Sequence, residues 1–431
     1  MTDLETTGFW ATVFVVSDWV IRLAMLPIVP TRRSPEAAKG WLLFIFFLPW
    51  LGLVLYLLIG RPRVPRWRTE RFRRFMHTIE PIRQRMRALP LLAPPAITPQ
   101  YEPSVRLATD LGLLPNFGGN AVELLTDYTE TLARIAADID AAEGSVHLCF
   151  YIFASDERTA PVIAALGRAA ARGARCRVLV DAFGSRPRIP VLVPQLRSLG
   201  VDVRVALPVR VGRKAARFDL RNHRKLAVVD GRVGYTGSQN MIAADFRPGL
   251  TYSELMVRIE GPSALQLQAV FASDWYVETA EYVGDQCFPV PRAAGDVPAQ
   301  VLPNGPSSST QPAQRMVVNL IHLATKRVVV TTPYFIPGQP FQNALETAVL
   351  RGAVPLAVNG ALQMLSPRVE LLVLSLLAGD RATGVFLAAL RVLTGRELVA
   401  GWLPEALAAL LAVVGAALWA WWRTKLRARV V

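Results

Sequence analysis

One short stretch with polar residues at fixed spacing constrains this chain more than any other. Residues 222–240 read Asn-His-Arg-Lys-Leu-Ala-Val-Val-Asp-Gly-Arg-Val-Gly-Tyr-Thr-Gly-Ser-Gln-Asn, a pattern of the form H-x-K-x4-D-x6-G-S-x-N. The apolar run after Lys225 predicts a strand that ends at the turn dipeptide Asp230-Gly231. Residues 233–236 predict the returning strand. The stretch therefore predicts a β-hairpin with polar groups gathered near one end.

The spacing within this stretch places the polar side chains in two pairs. Residues two apart share a face of an extended chain, so His223 and Lys225 are expected to point the same way. Ser238 and Asn240 form a second pair, just past the returning strand. An ammonium, a hydroxyl and an amide suit the oxygens of a phosphate, while an imidazole can attack the phosphorus. We therefore expect a phosphate site with a nucleophilic histidine.

At these positions the sequence resembles the phospholipase D superfamily. The matching residues are His223, Lys225, Asp230, Gly237, Ser238 and Asn240. The resemblance implies an α/β fold, an α/β/α sandwich domain, with His223, Lys225 and Asp230 in the catalytic motif. It implies that Lys225, Ser238 and Asn240 bind the substrate phosphate, and we expect Asp230 to be structural rather than an acid or base. The alternative is a hairpin whose polar residues only face water, which the rest of the chain disfavours.

Two further residues are expected to support the histidine. A nucleophilic imidazole needs its other nitrogen held by a carboxylate or carbonyl. Members of the superfamily commonly place an acidic residue after the motif, so Glu254 is the candidate. Tyr151 is either a wall of the site or a packed core aromatic. His147 is expected to be structural, and Cys149 a small buried hydrophobe.

Composition indicates membrane segments and an anionic partner. The chain has 431 residues, of which 52% are hydrophobic, and a formal net charge of +15. Its mean hydropathy of +0.31 is high for a soluble protein. Such a basic chain favours nucleic acid or acidic lipid. Its three cysteines show neither a disulfide framework nor zinc spacing, which fits a reducing compartment, and we expect neither a metal nor another cofactor.

The amino-terminal region, residues 1–60, is expected to be a transmembrane helical hairpin. Residues 9–29 are mostly apolar but contain Asp18 and Arg22, four apart on one helical face. Residues 41–60 carry no charge and are long enough to span a bilayer core. A signal peptide is disfavoured because only acidic charges, Asp3 and Glu5, precede the apolar stretch. One span plus one buried helix is the alternative.

Residues 61–103 are predicted to be a basic juxtamembrane linker. Ten arginines crowd its first part: Arg61, Arg63, Arg66, Arg68, Arg71, Arg73, Arg74, Arg83, Arg85 and Arg87. This density next to a span predicts that the following domain is cytoplasmic. Apolar residues at helical spacing among the arginines suit a helix lying on anionic headgroups, although the charge could serve only as a topology signal.

A second resemblance narrows the superfamily to the bacterial cardiolipin synthases. It rests on Arg33-Ser34-Pro35 leading into the apolar residues 41–60, and on Thr332-Pro333-Tyr334-Phe335-Ile336-Pro337. It implies transfer of a phosphatidyl group between two phosphatidylglycerol molecules, giving cardiolipin and glycerol through a phosphohistidine. It also implies an anionic phospholipid substrate, no cofactor, and a multi-pass location in the inner membrane.

The rest of the chain divides into one complete and one incomplete catalytic domain. Residues 104–284 form the first phospholipase D-like domain, 285–311 a linker rich in Pro, Gly and Ser, and 312–353 the start of a second domain. The repeat is visible in Ala165-Leu166-x5-Arg172-Gly173-Ala174 and Ala344-Leu345-x5-Arg351-Gly352-Ala353. No second H-x-K occurs in the sequence, and the equivalent of the histidine position is Trp402.

The carboxy-terminal residues, 354–431, differ in character from the repeat. Residues 406–422 are apolar and precede Arg423, Lys425, Arg427 and Arg429. This composition predicts a third membrane helix with a basic cytoplasmic flank, and a buried core helix is the alternative.

Three hypotheses about activity stay open at this point. The second half-site comes from another copy of the chain in a homodimer, or the chain is a diverged or frame-disrupted homologue with little activity. In the third, the chain is a phospholipase D-type phosphodiesterase or a nuclease. The amino-terminal spans argue against nucleic acid as the partner.

Overall fold

The structure is a computed structural model that divides into two compact units. It describes residues 3–33, 35–58, 60, 65–89, 95–208, 220–305, 311–332, 335, 337–351 and 354–359. The first unit is Met1–Leu320 and the second is Ile321–Val431.

Three apolar helices open the first unit: α1 (Asp3–Ile28), α2 (Pro35–Phe47) and α3 (Pro49–Leu58). Within the described residues, only Phe9–Ile28 is long and apolar enough to cross a membrane. The second apolar stretch, expected to be a single span, is broken at Leu48 into two helices. Pro49 starts the second of them, since proline fits the first helical position but not a helix interior.

An eight-stranded mixed sheet carries the central domain. Its strands are β1 (Phe117–Leu125), β2 (Ser145–Phe150), β3 (Arg175–Asp181), β4 (Asp202–Ala206), β5 (Lys225–Val229), β6 (Val233–Gly237), β7 (Met256–Glu260) and β8 (Val297–Ala299). Their order in the sheet is β4-β3-β2-β5-β6-β7-β1-β8. Strands β2, β3 and β4 are parallel, and β5, β6, β7 and β1 pair antiparallel in succession. The predicted hairpin is therefore the β5–β6 pair, in the middle of the sheet.

Helices cover both faces of this sheet. They are α6 (Glu102–Gly112), α7 (Tyr128–Asp140), α8 (Ala160–Ala171), α9 (Ile189–Ser198) and α10 (Ala264–Thr279). Leu148 and Val178 belong to the core beneath α7, α8 and α9, whereas their neighbours Cys149 and Leu179 belong to the core beneath α10. Two cores on opposite faces make an α/β/α sandwich, and they explain why the central strands are apolar without alternation.

The strand directions bring the predicted site residues together at one edge of the sheet, meaning the edge formed by the ends of the strands and not an edge strand. Tyr151 follows the carboxyl end of β2, and His223 precedes the amino end of β5, which runs antiparallel to β2. Ser238 follows the end of β6, and Glu254 lies just before the start of β7. The side chains at this edge come from four strands that alternate in direction.

The segment predicted as a linker, residues 285–311, contributes to the fold. Residues Asp285–Cys287 form a 3₁₀ turn, and β8 adds an edge strand to β1. Arg224 also donates from Nη1 to the carbonyl of Asn304 at 2.9 Å. Part of this segment is therefore packed against the first domain.

The basic segment after residue 64 contains two helices. It forms α4 (Arg66–Thr78) and α5 (Glu80–Arg87), and α4 packs on α10. Phe75 and Ile79, expected to face lipid, are buried in the core beneath α10. Arg68 pairs with Glu278 at 2.7 Å, with both side chains nearly inaccessible. The apolar face of these helices therefore binds the domain and is not available to headgroups.

Asp230 fixes the β5–β6 turn to the start of β2. Its Oδ2 accepts the backbone N–H of Glu143 at 2.8 Å, and its Oδ1 accepts those of Gly144 and Ser145 at 2.8 and 2.7 Å. Its φ of +52° lies in the left-handed region, which Asp and Asn tolerate better than most residues. This geometry agrees with the structural role expected for Asp230.

The second unit repeats the opening of the first domain. It contains the end of α11 (Pro312–Leu323), then β9 (Arg327–Thr332), α12 (Gln339–Leu350) and β10 (Val354–Asn359). Strands β9 and β10 are parallel, as β2 and β3 are. Ala344 and Ala348 are fully buried, matching Ala165 and Ala169 of α8. The predicted membrane helix at 406–422 lies outside the described residues.

Replacing Asp230 tests its role as the staple of this hairpin. Asp230→Ala removes the acceptor of three backbone N–H groups, so we expect a loss of roughly 2–4 kcal/mol in unfolding free energy. Asp230→Asn keeps one side-chain oxygen and the tolerance of a left-handed φ, and should lose less.

Thermal and denaturant unfolding of the detergent-purified protein measures both variants. Asp127→Ala is the matched control, because that carboxylate accepts only the N–H of Glu130 as a helix cap, worth about 1 kcal/mol. Equal losses of unfolding free energy for Asp230→Ala and Asp127→Ala would contradict the role of Asp230 in holding this hairpin.

Candidate active site

The imidazole of His223 and the ammonium of Lys225 lie side by side. Lys225 Nζ is 2.9 Å from His223 Nδ1, 3.4 Å from Nε2 and 2.9 Å from the carbonyl of His223. His223 is exposed, whereas Lys225 is 5% exposed. The ammonium of the buried Lys225 thus lies beside the exposed imidazole of His223. An anion that binds at the imidazole can therefore contact both groups.

The ring of Tyr151 lies next to both groups. Its ring centroid is 4.4 Å from that of His223, and Lys225 Nζ lies 5.5 Å from the Tyr151 ring. Gly184 packs beneath it, and a Cβ at that position would lie 2.4 Å from the Tyr151 carbonyl oxygen. Tyr151 therefore lies against the histidine–lysine pair, and its role as a wall of the site stays a prediction.

The surroundings lower the pKa of both basic groups. Burial lowers the pKa of Lys225 from 10.5 to about 8, and the carboxylate of Glu254 opposes this shift. Burial and then the Lys225 ammonium lower the pKa of His223, which Asp181 partly offsets. Near neutral pH the imidazole is therefore neutral, with a lone pair available for attack, while Lys225 is mostly charged.

Asp181 holds the backbone before His223, a role that sequence reasoning missed. At the end of β3, its carboxylate accepts backbone N–H groups from Phe183, Gly184 and Asn222 at 2.8, 3.1 and 2.9 Å. It is fully buried and raises the pKa of His223. The one available signal was an acidic residue at the end of an apolar strand.

A second missed carboxylate, Asp274 of α10, anchors the two residues that flank His223. Asn222 Nδ2 and Arg224 Nε donate to Asp274 Oδ2 at 2.9 and 2.7 Å. Asn222 is buried and its amide also contacts Cys149 Sγ at 3.6 Å. The chain on each side of His223 is thus tied to the core, so the imidazole is oriented by its backbone.

Ser238 and Asn240 lie at the same edge, each tied to the backbone. Ser238 Oγ accepts the N–H of Leu255 at 3.0 Å, and Asn240 Oδ1 accepts the N–H of Ile152 at 3.2 Å. Because the second bond uses the side-chain oxygen of Asn240, the side-chain nitrogen is the group that can donate to a ligand. Both residues are positioned to bind oxygen atoms, and their role in phosphate binding stays a prediction.

Glu254 acts on the lysine rather than on the histidine. Its carboxylate raises the pKa of Lys225 and that of Tyr128. Of the hydrogen bonds between described residues, none joins Glu254 to His223. The carboxylate that acts electrostatically on the imidazole in this structure is Asp181, as described above.

The remaining candidate residues are structural. His147 is fully buried, stacks on Phe271 at 4.5 Å and bonds Gln268, and burial lowers its pKa to about 4. Cys149 is buried, which raises its pKa well above its usual value. Among the described residues, no group of three or more His, Cys, Asp or Glu side chains is placed to bind a metal ion.

A cleft of about 390 Å³ lies beside the site. It is lined by Ala154, Ser155, Asp156, Pro187, Arg188, Val191, Ile242, Ala243 and Phe246. These residues follow β2, β3 and β6, the strands that also deliver Tyr151, Asp181 and Ser238. His223 is not among the lining residues. The cleft adds a mainly apolar surface to the end of the sheet that carries His223.

The titration of Lys225 can be measured directly. Lysine is scarce in the chain, which holds Lys39, Lys214, Lys225, Lys326 and Lys425. After reductive ¹³C-methylation, we expect the Lys225 signal, assigned by its loss in Lys225→Arg, to titrate near pH 8. Glu254→Gln should lower that midpoint, because the carboxylate raises the pKa of Lys225.

Glu123→Gln, which removes an exposed carboxylate paired with Arg134, serves as the control and should leave the midpoint unchanged. A Lys225 midpoint at the ordinary value of about 10.4 would show that burial does not desolvate the ammonium.

Comparison with known proteins matches both parts of the first unit to families. Residues 135–275 match the family described as "Cardiolipin synthase, PLD-like domain", and residues 10–61 match "Phospholipase_D-nuclease N-terminal". The phosphatidylserine synthase of Haemophilus influenzae shares 16% identity over 61% of this chain and 66% of its own. Its TM-score of 0.45 is too low to carry any part of the assignment.

Full-length relatives give the assignment. Cardiolipin synthase A of Proteus mirabilis is 30% identical over 365 residues, covering 82% of this chain and 74% of the relative. Cardiolipin synthase A of Yersinia pseudotuberculosis is 30% identical over 367 residues, with the same coverage. On this identity and coverage, together with the histidine–lysine pair at the sheet edge, the chain belongs to the bacterial cardiolipin synthases of the phospholipase D superfamily and is a phosphatidyltransferase.

Proposed function

We propose that the chain transfers a phosphatidyl group from one phosphatidylglycerol to another, giving cardiolipin and glycerol. The observation that carries this proposal is the contact between Lys225 Nζ and His223 Nδ1, 2.9 Å long, at an open edge of the sheet. A diester phosphate placed there meets a cation and a neutral imidazole together. A phosphatidylglycerol headgroup is such a diester.

In the first step, His223 attacks phosphorus and the glycerol oxygen leaves. The lowered pKa of His223 keeps the attacking lone pair available. Lys225, with Ser238 and Asn240 beside it, stabilises the negative charge that grows on the phosphate oxygens. The product of this step is a phosphatidyl group bonded to the imidazole, and the departing glycerol oxygen takes a proton from an acid.

In the second step, the hydroxyl of another phosphatidylglycerol attacks the phosphohistidine. That hydroxyl must lose a proton, and the group that protonated glycerol is now able to accept it. The sequence has no second H-x-K pair. We propose that a second copy of the chain supplies this acid and base with its own His223, whose protonated form is stabilised by the negative charge of the bound phosphate, so that a homodimer forms one complete site.

The proposed substrate and the basic charge support a location at the inner membrane. Helix α1 contains an apolar segment of 20 residues, and the arginines after residue 60 favour the cytoplasmic side. We propose that the catalytic domain lies in the cytoplasm, with its lipid substrates in the inner leaflet.

Product analysis tests the reaction. Purified protein in phosphatidylglycerol vesicles should give cardiolipin and free glycerol in equal amounts, since one glycerol leaves for each cardiolipin formed. Phosphatidic acid in place of cardiolipin would indicate a phosphodiesterase that uses water as the acceptor. No turnover of either kind would support the diverged, inactive homologue.

Histidine substitutions test the assignment of the nucleophile. His223→Ala should lower the turnover by about 10³-fold or more, because the group that forms the covalent intermediate is lost. His77→Gln and His322→Gln are matched controls that change histidines away from the site and should retain activity. With phosphate-labelled phosphatidylglycerol, the acid-labile label on the protein should vanish only in His223→Ala.

Mixed oligomers test whether two chains share one site. If each site needs His223 from both copies, a 1:1 mixture of wild-type and His223→Ala chains, allowed to exchange, should retain about a quarter of the wild-type activity. Separately purified chains mixed without exchange should retain about half. Half activity after verified exchange would contradict a shared site.

A further inference from the structure

The second apolar stretch folds back on itself. Helices α2 and α3 are joined only at Leu48, and the rings of Trp41 and Tyr56 lie 5.4 Å apart. In one continuous helix these two residues would be about 22 Å apart along the axis. A Cβ on Gly52 would lie 2.8 Å from Ile45 Cα, so the glycine lets the two helices touch.

The two ends of this folded stretch meet. Arg33 Nε, just before α2, donates to the carbonyl of Gly60, just after α3, at 2.6 Å. Helices α2 and α3 have 13 and 10 residues, hence lengths of about 20 and 15 Å. Neither can cross a hydrocarbon core of about 30 Å. A chain that enters and leaves at the same place returns to the side on which it started.

The outer face of the folded stretch is apolar and uncovered in the first unit. Phe47, Leu48, Trp50, Leu51, Val54 and Leu58 are all exposed, Phe47 to 70%. Exposing six large apolar side chains on two apolar helices to water would be unfavourable. Because α1 supplies an apolar segment of membrane-spanning length against the same helices, acyl chains are the covering that fits.

The polar pair inside α1 contacts the end of α2, next to the turn between α2 and α3. Arg22 Nε donates to the carbonyl of Phe46 at 3.0 Å, and Arg22 also pairs with Asp18 at 3.5 Å. Phe46 lies in the last turn of α2, where helix carbonyls lack partners within the helix and carry partial negative charge. The costly intramembrane charge pair thus has a structural purpose, which is to hold a helix end that stops within the bilayer.

We propose that α1 is the only span of this region, and that α2 and α3 form a re-entrant hairpin in the cytoplasmic leaflet. The hairpin is defined as residues 35–58. This arrangement places Arg32, Arg33 and Lys39 on the same side as the arginines after residue 60, as the positive-inside rule favours. Two spans would put those three cations on the opposite side, and the amino end of α1, with Asp3 and Glu5, inside.

The proposal rests on the membrane location given under Proposed function and deepens it. With the hairpin in the cytoplasmic leaflet, the enzyme takes both phosphatidylglycerol molecules from that leaflet. The hairpin and the membrane location can fail separately, because labelling reports the topology and product analysis reports the enzyme.

Cysteine labelling decides between the two topologies. Single cysteines are introduced as Thr6→Cys, before the span, and Thr31→Cys, between α1 and α2, in the full chain. The native Cys149, Cys176 and Cys287, which are buried, are first replaced by Ala. The cysteine-free protein must retain activity before the single cysteines are introduced. In spheroplasts with a membrane-impermeant maleimide, the re-entrant hairpin predicts labelling of Thr6→Cys alone, with Thr31→Cys labelled only after permeabilisation.

The reverse pattern, with Thr31→Cys labelled and Thr6→Cys protected, would establish two spans and overturn the hairpin. Labelling of both without permeabilisation would overturn it together with the single span. Either result leaves the phosphatidylglycerol assay unchanged, so the topology and the enzymatic proposal are tested independently.

Cross-linking tests the fold within the membrane. The pair Trp41→Cys and Tyr56→Cys should be joined by a short bifunctional thiol cross-linker with a span of about 10 Å, read by mass spectrometry, whereas a continuous helix would hold the two thiols about 22 Å apart and give no link. Arg22→Leu should lower the cross-linking yield by about twofold or more, and Arg22→Lys should restore most of it. Arg74→Leu, which removes an exposed pair with Glu70, is the control and should not change the yield.

Discussion

A nearly buried ammonium beside an imidazole is the constraint on which the site depends. Lys225 is 5% exposed, and its Nζ lies 2.9 Å from His223 Nδ1. Burial lowers the pKa of both groups, and the Lys225 ammonium lowers that of His223 further. The pair therefore combines a neutral imidazole with a neighbouring cation, which is the combination that the proposed phosphate chemistry needs.

Carboxylates on buried or backbone-facing positions keep these two groups in place. Asp181 accepts the N–H of Asn222 just before the site, and Asp230 accepts three N–H groups at the far end of β5. A slip of one residue in a strand would turn every side chain to the other face. Fixing both ends of β5 therefore fixes which way His223 and Lys225 point.

The same principle, a charged side chain that satisfies orphan backbone groups, recurs in the amino-terminal region. Arg22 donates to the Phe46 carbonyl at the end of α2, and Arg71 donates to the carbonyls of Val277 and Glu278 at the end of α10. The second contact, with the buried pair of Arg68 and Glu278, attaches α4 to the catalytic domain. The arginines after the apolar helices thus bind the domain.

By itself the sequence determined the β5–β6 hairpin, the shared face of His223 and Lys225, the structural role of Asp230 and the βαβ repeat around Ala344, because each depends on local spacing. Only the tertiary structure decided what depends on distant contacts. Pro49 marks a break in the second apolar stretch, but the sequence alone does not say whether the chain bends slightly there or folds back on itself. The role of Asp181 depends on strand order, which brings residues 181 and 222 together across the sheet edge. The packing of β8 on β1 and of α4 on α10 likewise needs partners far along the chain, which no local pattern records.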